Sequence, residues 1–471
     1  MIRMISPKES RIIDVNSEAA GVETITLMGN AGSKLAEVLK ERFEGRKFLF
    51  VCGSGNNGGD GFAAASLMTE EDVTVCLMED ASSIRSDASA YYFSMLKCPV
   101  TDFQNLSFDG YDVLVDCALG TGASGDIRGK YAEFIALAHS FAGTIVSADV
   151  PSGLGCGDSI MPDITVTFHD IKSGMSPENS GEIIIADIGV PPIAVDNVGP
   201  GDMLRYPIPA PDSHKGLNGR VLLIGGGPYC GAPAMAGLAA LRVGADIVKI
   251  AAPENAAGTI SSFSPVFITD PLSGKFLKCD HVSHLIGISK NYDAVLIGPG
   301  LGSCEETLNA VRDFVSGCPV PLIIDADAIG AVGTGYKAKV PTVITPHKME
   351  FIRLGGAGTF KEEDVRSLAS SSCSVIVLKG KTDIISDGER TRKNTTGTPA
   401  MTGAGTGDVL AGIIAGLLSK GMAPFEAGCL GAYICGKAGE YGFSEKSYGL
   451  IATDVIDFIP TVIKNGLKGL K

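Results

Sequence analysis

The chain has 471 residues, which is too long for one ordinary hydrophobic core and predicts two or three domains. It is 45% hydrophobic and 20% charged, a composition typical of a globular α/β protein. Its formal net charge of −14 repels nucleic acid and anionic lipid, so we expect neither as a partner.

The first half of the chain alternates short β-branched runs with helical patterns, which predicts a parallel sheet covered on both faces. Residues 16–42 are predicted to form one or two helices ahead of the first strand. The predicted strands span 47–53, 72–78, 112–119, 143–150, 164–168 and 182–189, and the predicted helices between them span 61–71, 86–96 and 130–140.

Residues 205–216 hold three prolines and little hydrophobic periodicity, which indicates a linker. We therefore predict one domain over residues 1–207 and a second over 208–471. The α/β alternation restarts at 220–227, and the chain is predicted to be almost wholly helical after Gly403. Each domain is expected to be a three-layer α/β/α sandwich.

The twelve cysteines are scattered, with no C-x-x-C pair and no cluster at zinc spacing, so we expect reduced thiols. The N-terminal segment lacks the apolar core of a signal peptide, and the longest apolar stretches are about half a membrane span. These features predict a cytoplasmic protein with no membrane partner. We also expect a homo-oligomer.

The segment GSGNNGGDG, residues 53–61, follows a predicted strand and precedes a helix. Its glycines free the backbone for close approach to a ligand, and the helix start directs unpaired N–H groups at that ligand. A purely structural turn would also use glycine. However, Asn56, Asn57 and Asp60 are costly between apolar elements unless they bind something.

Two further strand ends carry acids, Asp116 and Asp149. Because ligands bind at the carboxyl ends of parallel strands, we expect both to meet Asn57 in one crevice. With Ser152 and main-chain carbonyls they form an oxygen-only set suited to a hard cation such as K⁺. The structural alternative is that Asp149 only caps the following turn.

The segments GNNGGDG, DCALGTG, ADVPSGL, TVTF with Lys172, and ADIGVP together resemble the NAD(P)H-hydrate epimerase domain over about residues 10–200. The resemblance implies a Rossmann-like fold that interconverts the R and S epimers of NADHX and NADPHX, which are cofactors hydrated at nicotinamide C6. It also implies K⁺ bound by Asn57, Asp116 and Ser152. The implied substrate-binding residues are Asn56, Asn57, Gly58, Gly59, Asp60, Gly120, Thr121, Gly122, Ala123, Ser124, Gly125, Asp126 and Asp149. We infer that Asp149 is a catalytic general acid/base, because epimerisation at C6 requires reversible proton transfer and loss of the hydroxyl.

The stretch TGAGTGDVLAGIIAGLL, residues 402–418, places three glycines ahead of a strongly apolar helix. The N–H groups of residues 404–407 therefore predict an anion-binding concavity at the positive end of that helix. Asp408 lies within it, which indicates a base that takes a proton from a hydroxyl as a phosphoryl group arrives. The structural alternative makes Asp408 an N-cap.

This loop resembles the ribokinase-like superfamily. With GPGLG, DADAI, TPH, LKGKTDII and NTTGTPAMTGAGTGD it resembles the ADP/ATP-dependent NAD(P)H-hydrate dehydratase domain over about residues 210–465. The resemblance implies Mg²⁺, and it implies that Gly302, His347 and the catalytic Asp408 contact the hydrated nucleotide. The implied ADP-binding residues are Lys379, Gly380, Lys381, Thr382, Asp383, Thr398, Pro399, Ala400, Met401, Thr402, Gly403, Ala404, Gly405, Thr406 and Gly407.

The implied dehydration converts a poor leaving group into a good one. A phosphoryl group moves onto the C6 oxygen while Asp408 takes its proton, and phosphate then leaves with help from the ring nitrogen. The sequence departs from the family pattern at Lys348 and Met349, where Pro-Gly is usual, so we expect no backbone contacts to substrate there. The resemblance favours ADP over ATP as the phosphoryl donor.

Two alternatives stay open at this point. A vitamin-precursor kinase of the same superfamily, acting on a hydroxymethylpyrimidine or a thiazole, would use the same Asp408, although it needs no epimerase-like partner. The first domain could also be a non-catalytic nucleotide-binding module, although acids at a cation site argue against that.

Overall fold

The computed structural model describes residues 4–468 and divides the chain into two compact units, Met1–Ala194 and Val195–Lys471. The predicted boundary between residues 207 and 208 therefore lies inside the second unit. The reason is local packing, because Asp202 is buried against Arg392 at 2.7 Å and Met203 lies in the core of that unit. Of the predicted linker, residues 205–216, Arg205 ends a 3-10 helix, Pro200–Arg205, and the remaining residues contain neither helix nor strand.

The first unit contains nine short strands and seven helices within the described residues. The strands are β1 (Met4–Ile5), β2 (Lys47–Cys52), β3 (Asp72–Leu77), β4 (Val100–Asp102), β5 (Val113–Cys117), β6 (Thr144–Ala148), β7 (Ile164–Phe168), β8 (Ile171–Lys172) and β9 (Glu182–Ala186). The helices are α1 (Pro7–Ala19), α2 (Thr24–Arg42), α3 (Asn56–Leu67), α4 (Asp87–Ser94), α5 (Lys130–Ala138), α6 (Pro177–Ser180) and, at the division between the units, α7 (Pro192–Asp196).

Seven of these strands form a fully parallel sheet in the order β4-β3-β2-β5-β6-β7-β9. All six predicted strands are present, most of them with slightly shorter ends. Every residue of β5 is buried because helices cover both faces of the sheet. The strand order reverses between β2 and β5, which opens a crevice beyond their carboxyl ends.

A separate two-stranded pairing lies beside this sheet. β1 runs parallel to β8, with Ile5 opposite Lys172, and Ser173 N–H donates to Ile5 O at 2.9 Å. α1 follows directly and begins with a capping box between Ser6 and Glu9. The short strand therefore fixes where α1 lies relative to Lys172.

The second unit contains a nine-stranded sheet within the described residues, in the order β12-β11-β10-β13-β14-β15-β16-β17-β18, parallel except for its last two pairings. Its strands are β10 (Arg220–Ile224), β11 (Ile247–Pro253), β12 (Ile268–Leu272), β13 (Ala294–Ile297), β14 (Leu322–Ile324), β15 (Thr342–Ile344), β16 (Val375–Leu378), β17 (Asp383–Ser386) and β18 (Thr391–Asn394). Its helices are α8 (Gly231–Arg242), α9 (Glu254–Ser262), α10 (Val282–Ser289), α11 (Glu305–Gly317), α12 (Asp327–Val332), α13 (Lys348–Arg353), α14 (Glu362–Ser372), α15 (Thr406–Ser419), α16 (Pro424–Lys446) and α17 (Ala452–Lys468).

Helix α15 is the central helix of the second unit. Every residue from Val409 to Ser419 is buried, because the helix is apolar on all sides and packs among α8, α16 and the sheet. Its start is thereby held at a fixed place next to the carboxyl ends of the strands. Within residues 4–468, none of the helices has the length and apolar character needed to cross a membrane.

Candidate active sites

A cavity of about 490 Å³ lies at the carboxyl ends of the strands of the first unit. The loops after β2, β5 and β6 reach it, as the strand order predicts. The predicted substrate-binding residues that line it are Asn56, Asn57, Asp60, Gly120, Thr121, Gly122, Ala123 and Asp149. The structure thus brings the two predicted loops and the predicted acid together.

Five other predicted residues do not line this cavity. Gly58 and Gly59 are buried in the first turns of α3, and Ser124, Gly125 and Asp126 are exposed. Asp126 pairs instead with Arg128 at 3.4 Å on the surface.

The predicted glycine loop is largely the first turn of a helix. α3 begins at Asn56, five residues earlier than predicted, and its N-cap Gly55 offers no side-chain cap. The first N–H groups of the helix therefore remain available for a ligand. Asn57 Nδ2 donates to Leu119 O at 3.0 Å, while Asn57 Oδ1 is buried and accepts no hydrogen bond from the residues described.

Asp116 is fully buried at the end of β5 and is held by four donors. Ser147 Oγ and Ser152 N donate to one carboxylate oxygen, both at 2.9 Å, and Ser152 Oγ and Ala118 N donate to the other, at 2.6 and 3.2 Å. Burial raises the pKa of Asp116, and these hydrogen bonds partly offset the rise. Ser152 Oγ also accepts Leu119 N–H at 2.8 Å, so Asn57, Asp116 and Ser152 meet around one loop.

Asp149 forms an ion pair with Lys172 at 2.5 Å in the wall of the cavity. Its φ of 62° lies in the left-handed region, which is unusual for a residue with a side chain. Lys172 is nearly buried and also donates to Phe168 O at 2.6 Å and to Thr167 Oγ1 at 3.2 Å. The three N–H bonds of the Lys172 ammonium are thereby all used. Because Asp149 is one of these acceptors, its role is not limited to capping a turn.

The carboxyls of Asp14 and Asp60 also line this cavity. The sequence did not predict Asp14 as a site residue. Asp14 lies on α1, and its side chain is accessible to solvent. Although the residue keeps contact with solvent, its pKa is raised to about 6, first by desolvation of the carboxyl among the cavity side chains and then by the charge of Asp149. Burial, Asp149 and Asp14 raise the pKa of Asp60 well above its ordinary value. No local signal marks Asp14, because an acid on an amphipathic helix usually faces solvent.

The second site lies at the start of α15. Gly405 precedes the helix with a φ of 97°, a conformation that favours glycine, and no side chain caps the helix. Its first N–H groups are therefore open to an anion, as predicted. Asp408 lies in the first turn and is not the N-cap.

Asp408 is half-buried, and its pKa is raised to about 7. Burial is the largest cause and the charge of Asp325 is the next, while Lys379 offsets part of the rise. Lys379 Nζ lies 3.0 Å from Asp325 Oδ1, which also accepts a hydrogen bond from Thr345 Oγ1 at 2.7 Å. A side chain added at Gly407 would come within 3.3 Å of Lys379 Nζ, so this ammonium reaches the helix start.

Gly302 and His347 belong to the same neighbourhood. Gly302 N donates to Asp327 at 2.8 Å, and the charge of Asp327 acts on Asp408. His347 caps α13, because its Nδ1 accepts hydrogen bonds from Met349 N at 3.1 Å and from the next backbone N–H. The N–H groups of Met349 and Glu350 are therefore both used within this cap.

The predicted ADP-binding segments form two turns. In the first, between β16 and β17, Asp383 accepts Gly380 N–H at 3.0 Å and the Asn394 amide at 3.0 Å. In the second, Thr398 caps a short 3-10 helix, Pro399–Thr402, that leads to Gly405. Lys379, at the start of the first turn, reaches Gly407 at the end of the second.

Comparison with protein families agrees with the two-unit structure. A family model described as NAD(P)H-hydrate dehydratase matches residues 221–461, and one described as YjeF-related protein N-terminus matches residues 24–174. The class of protein is therefore a fusion of these two α/β domains, and the dehydratase match does not favour a vitamin-precursor kinase.

Relatives match the whole chain. The bifunctional NAD(P)H-hydrate repair enzyme Nnr of Methanothermobacter thermautotrophicus is 36% identical, over 99% of this chain and 96% of its own length. The enzyme of the same name from Pyrobaculum aerophilum is 38% identical, over 98% of both chains. A solved ADP/ATP-dependent NAD(P)H-hydrate dehydratase of Bacillus subtilis, co-crystallized with ATP/Mg²⁺, is 29% identical with a TM-score of 0.50, covering 57% of this chain and 98% of that one. The chain belongs to the family of bifunctional NAD(P)H-hydrate repair enzymes.

Proposed function

We propose that the first unit interconverts the R and S epimers of NADHX and NADPHX, and that the second dehydrates the S epimer to NAD(P)H at the expense of ADP or ATP. The observation that carries the proposal is the position of Asp408. It lies in the first turn of an uncapped helix, next to the ammonium of Lys379, with a pKa raised to about 7. A base beside an anion site is the arrangement that phosphoryl transfer to a hydroxyl requires.

In the second unit, Asp408 accepts the proton of the C6 hydroxyl as the phosphoryl group arrives. The N–H groups at the start of α15 and the Lys379 ammonium hold the transferring group, which spreads negative charge over its oxygens. Elimination of phosphate then restores the reduced ring. A carboxyl with a pKa near 7 can take up a proton and return it at neutral pH.

Mg²⁺ fits the acids around this site. Asp327 and Glu350 are carboxylates close enough to act electrostatically on Asp408 and on Lys379, respectively. Within residues 4–468 no three acidic, His or Cys side chains lie together as a metal site, so these two carboxylates would only supplement the phosphates of the nucleotide in holding the ion. Its chemistry would be to neutralise charge on the phosphates.

In the first unit, Asp149 is the general acid/base at C6, and its carboxylate is held by the ion pair with Lys172. K⁺ also fits the residues present, because Asn57 Oδ1 is buried without a hydrogen-bond donor and a cation would satisfy it. Ser152 Oγ would be a further ligand, and Asp116 would balance the charge. The ion would fix the loops that carry Asn57 and Leu119.

A single assay tests both activities. The protein is incubated with a mixture of R- and S-NADHX, Mg²⁺, K⁺, and either ADP or ATP, and absorbance of the reduced nicotinamide is followed. Full recovery is expected. Recovery of the S fraction alone would make the first unit a binding module, and no recovery with either nucleotide would contradict the proposal.

A cytoplasmic location is part of the proposal. All twelve cysteines are free thiols, as a reducing compartment requires. Fractionation of the source cells with an antibody to the chain is the test.

A further inference from the structure

The cavity of the first unit holds more acid than one general acid/base residue accounts for. Asp14, Asp60 and Asp149 all line it together with the ammonium of Lys172. That ammonium already has three acceptors, so it does not bind Asp14 directly. Like charges that share one site favour keeping a proton on one of them.

The backbone places Asp14 in this cavity by a specific device. β1 pairs with β8 beside Lys172, and α1 follows β1 after one residue. Near the end of α1, Asn16 Nδ2 donates to Ala194 O at 3.3 Å. Both ends of α1 are therefore fixed, and Asp14 approaches from a helix whereas Asp149 approaches from the end of β6.

We propose that Asp14 is the second acid–base residue of the epimerase site and acts on the C6 oxygen from the side of the ring opposite Asp149. The inference rests on the proposed function of the first unit. Epimerisation that passes through a planar ring carbon needs a proton donor on one face and a proton acceptor on the other. The two carboxyls line one cavity and come from different elements, α1 and the turn after β6, which suits that division.

The proposed step is balanced. In one direction, Asp14 gives its proton to the C6 hydroxyl, the C6–O bond breaks, and the oxygen leaves as water with the bonding pair. The N1 lone pair forms a C6=N1 double bond. Water then adds to the other face of C6 and its proton passes to the Asp149 carboxylate. The reverse direction exchanges the two roles, and proton exchange with solvent resets both groups.

Solvent exposure distinguishes Asp14 from its neighbours. An acid that is used in each turnover must be refilled, and the Asp14 side chain is exposed whereas only 15% of the Asp149 side chain is. The pKa of Asp14, raised to about 6, lies closer to neutrality than that of an ordinary aspartate. The charged and titratable groups that line the cavity around it are Arg11, Asp60, Arg85, Tyr131, Asp149, His169 and Lys172.

The test measures epimerisation alone, without nucleotide, by chromatography of purified R-NADHX as it converts to the S form. Asp14→Ala is expected to lower kcat about 100-fold while KM changes less than about threefold. Formate, a small carboxylic acid that fits the cavity, should restore at least about tenfold of the lost rate to this variant and none to the wild type. Asp14→Glu should retain part of the activity.

The pH profile is the measurement that a purely structural role of Asp14 would not change. The limb of kcat/KM with a midpoint near pH 6 should be absent in Asp14→Ala and present in Glu18→Gln, which removes an exposed carboxyl from the same helix. The proposal is overturned if Asp14→Ala keeps the rate and the limb. It is also overturned if the rate falls but neither formate nor Asp14→Glu restores any of it. If Asp149→Asn also leaves epimerisation unchanged, the proposed function of the first unit is what fails.

Discussion

The two sites pair the same residue types in different ways. In the first unit, Lys172 binds the reacting carboxylate itself, with Asp149 Oδ1 2.5 Å from its ammonium. In the second unit, Lys379 binds a neighbour, Asp325, at 3.0 Å, and Asp408 is left with a pKa raised to about 7. A cation placed on the acid stabilises its ionised form, whereas a cation placed one carboxylate away leaves the acid ready to hold a proton.

The difference matches the proposed chemistry of each unit. Asp408 must take a proton and release it in one turnover, which favours a pKa near the working pH. Asp149 must accept a proton from water, and this protonation breaks its ion pair with Lys172. Single substitutions in each unit test this difference.

Asp408→Asn removes the acceptor of the second unit. We expect dehydration of S-NADHX to fall about 1000-fold or more, because general base catalysis is lost and no neighbouring carboxyl replaces it in position. Epimerisation should stay within about twofold. Absorbance of reduced nicotinamide measures the first activity and chromatography of the epimers the second. The control is Asp313→Asn, which changes an exposed residue of the same unit. Equal loss of both activities in Asp408→Asn would argue against separate sites.

Asp149→Asn removes the carboxylate that Lys172 binds. Epimerisation should fall about 100-fold, while dehydration of the S epimer continues at the wild-type rate. With a mixture of epimers and ADP, the R epimer should therefore accumulate as the S epimer is consumed. Asp158→Asn, at an exposed position in the same unit, should keep both rates. Wild-type consumption of the R epimer by Asp149→Asn would remove Asp149 from the mechanism.

Asp325→Asn changes the partner of Lys379 without touching Asp408. The negative charge of Asp325 raises the pKa of Asp408, so its loss lowers that pKa, and release of Lys379 lowers it further. Asp408 must be ionised to act as a base, so the acid limb of kcat/KM for dehydration should move about one unit to lower pH. Thr345→Val removes a hydrogen bond to Asp325 but no charge and should leave the limb in place. An unmoved limb in Asp325→Asn would refute the assignment of that shift.

Asn57→Ala tests the ion rather than an acid. If the buried Asn57 Oδ1 is a K⁺ ligand, wild-type epimerisation should be faster in KCl than in choline chloride. The variant should lose that response, at a cost of about fivefold in rate, the effect of one lost ligand worth about 1 kcal/mol. Asn105→Ala, an exposed change in the same unit, serves as control. A K⁺ response that survives in Asn57→Ala would place the ion elsewhere.

Much of this could be predicted from local sequence. The strands follow from apolar runs. Asp149 stands out because it directly follows such a run, and Asp408 stands out because it follows a glycine loop that precedes an apolar helix. The start of α3 was predicted too late, because Asn56 and Asn57 are residues that usually precede a helix rather than open it. The β17–β18 hairpin was not predicted either, since Thr391–Asn394 is polar throughout.

The remaining parts of both sites depend on pairings between distant segments. Asp14 enters the first site only because β1 pairs with β8, across more than 160 residues of sequence. The Asp325–Lys379 ion pair forms because β14, β15 and β16 are neighbours in the sheet. Asp14 carries no local pattern that separates it from an ordinary surface acid, and the DADAI and LKGKTDII segments do not indicate that Asp325 pairs with Lys379.

The pairing of β1 with β8 has a consequence for how the first unit becomes competent. The seven-stranded sheet and the hydrogen bonds of Asp116 are complete without β1, whereas α1 is held by the pairing of β1 at one end and by the Asn16–Ala194 hydrogen bond at the other. Folding of the core and closure of the cavity wall are thus distinct events, and a two-residue contact can open while the rest of the unit stays intact. A local opening of β1 and α1 would therefore remove Asp14 from the cavity without unfolding the sheet.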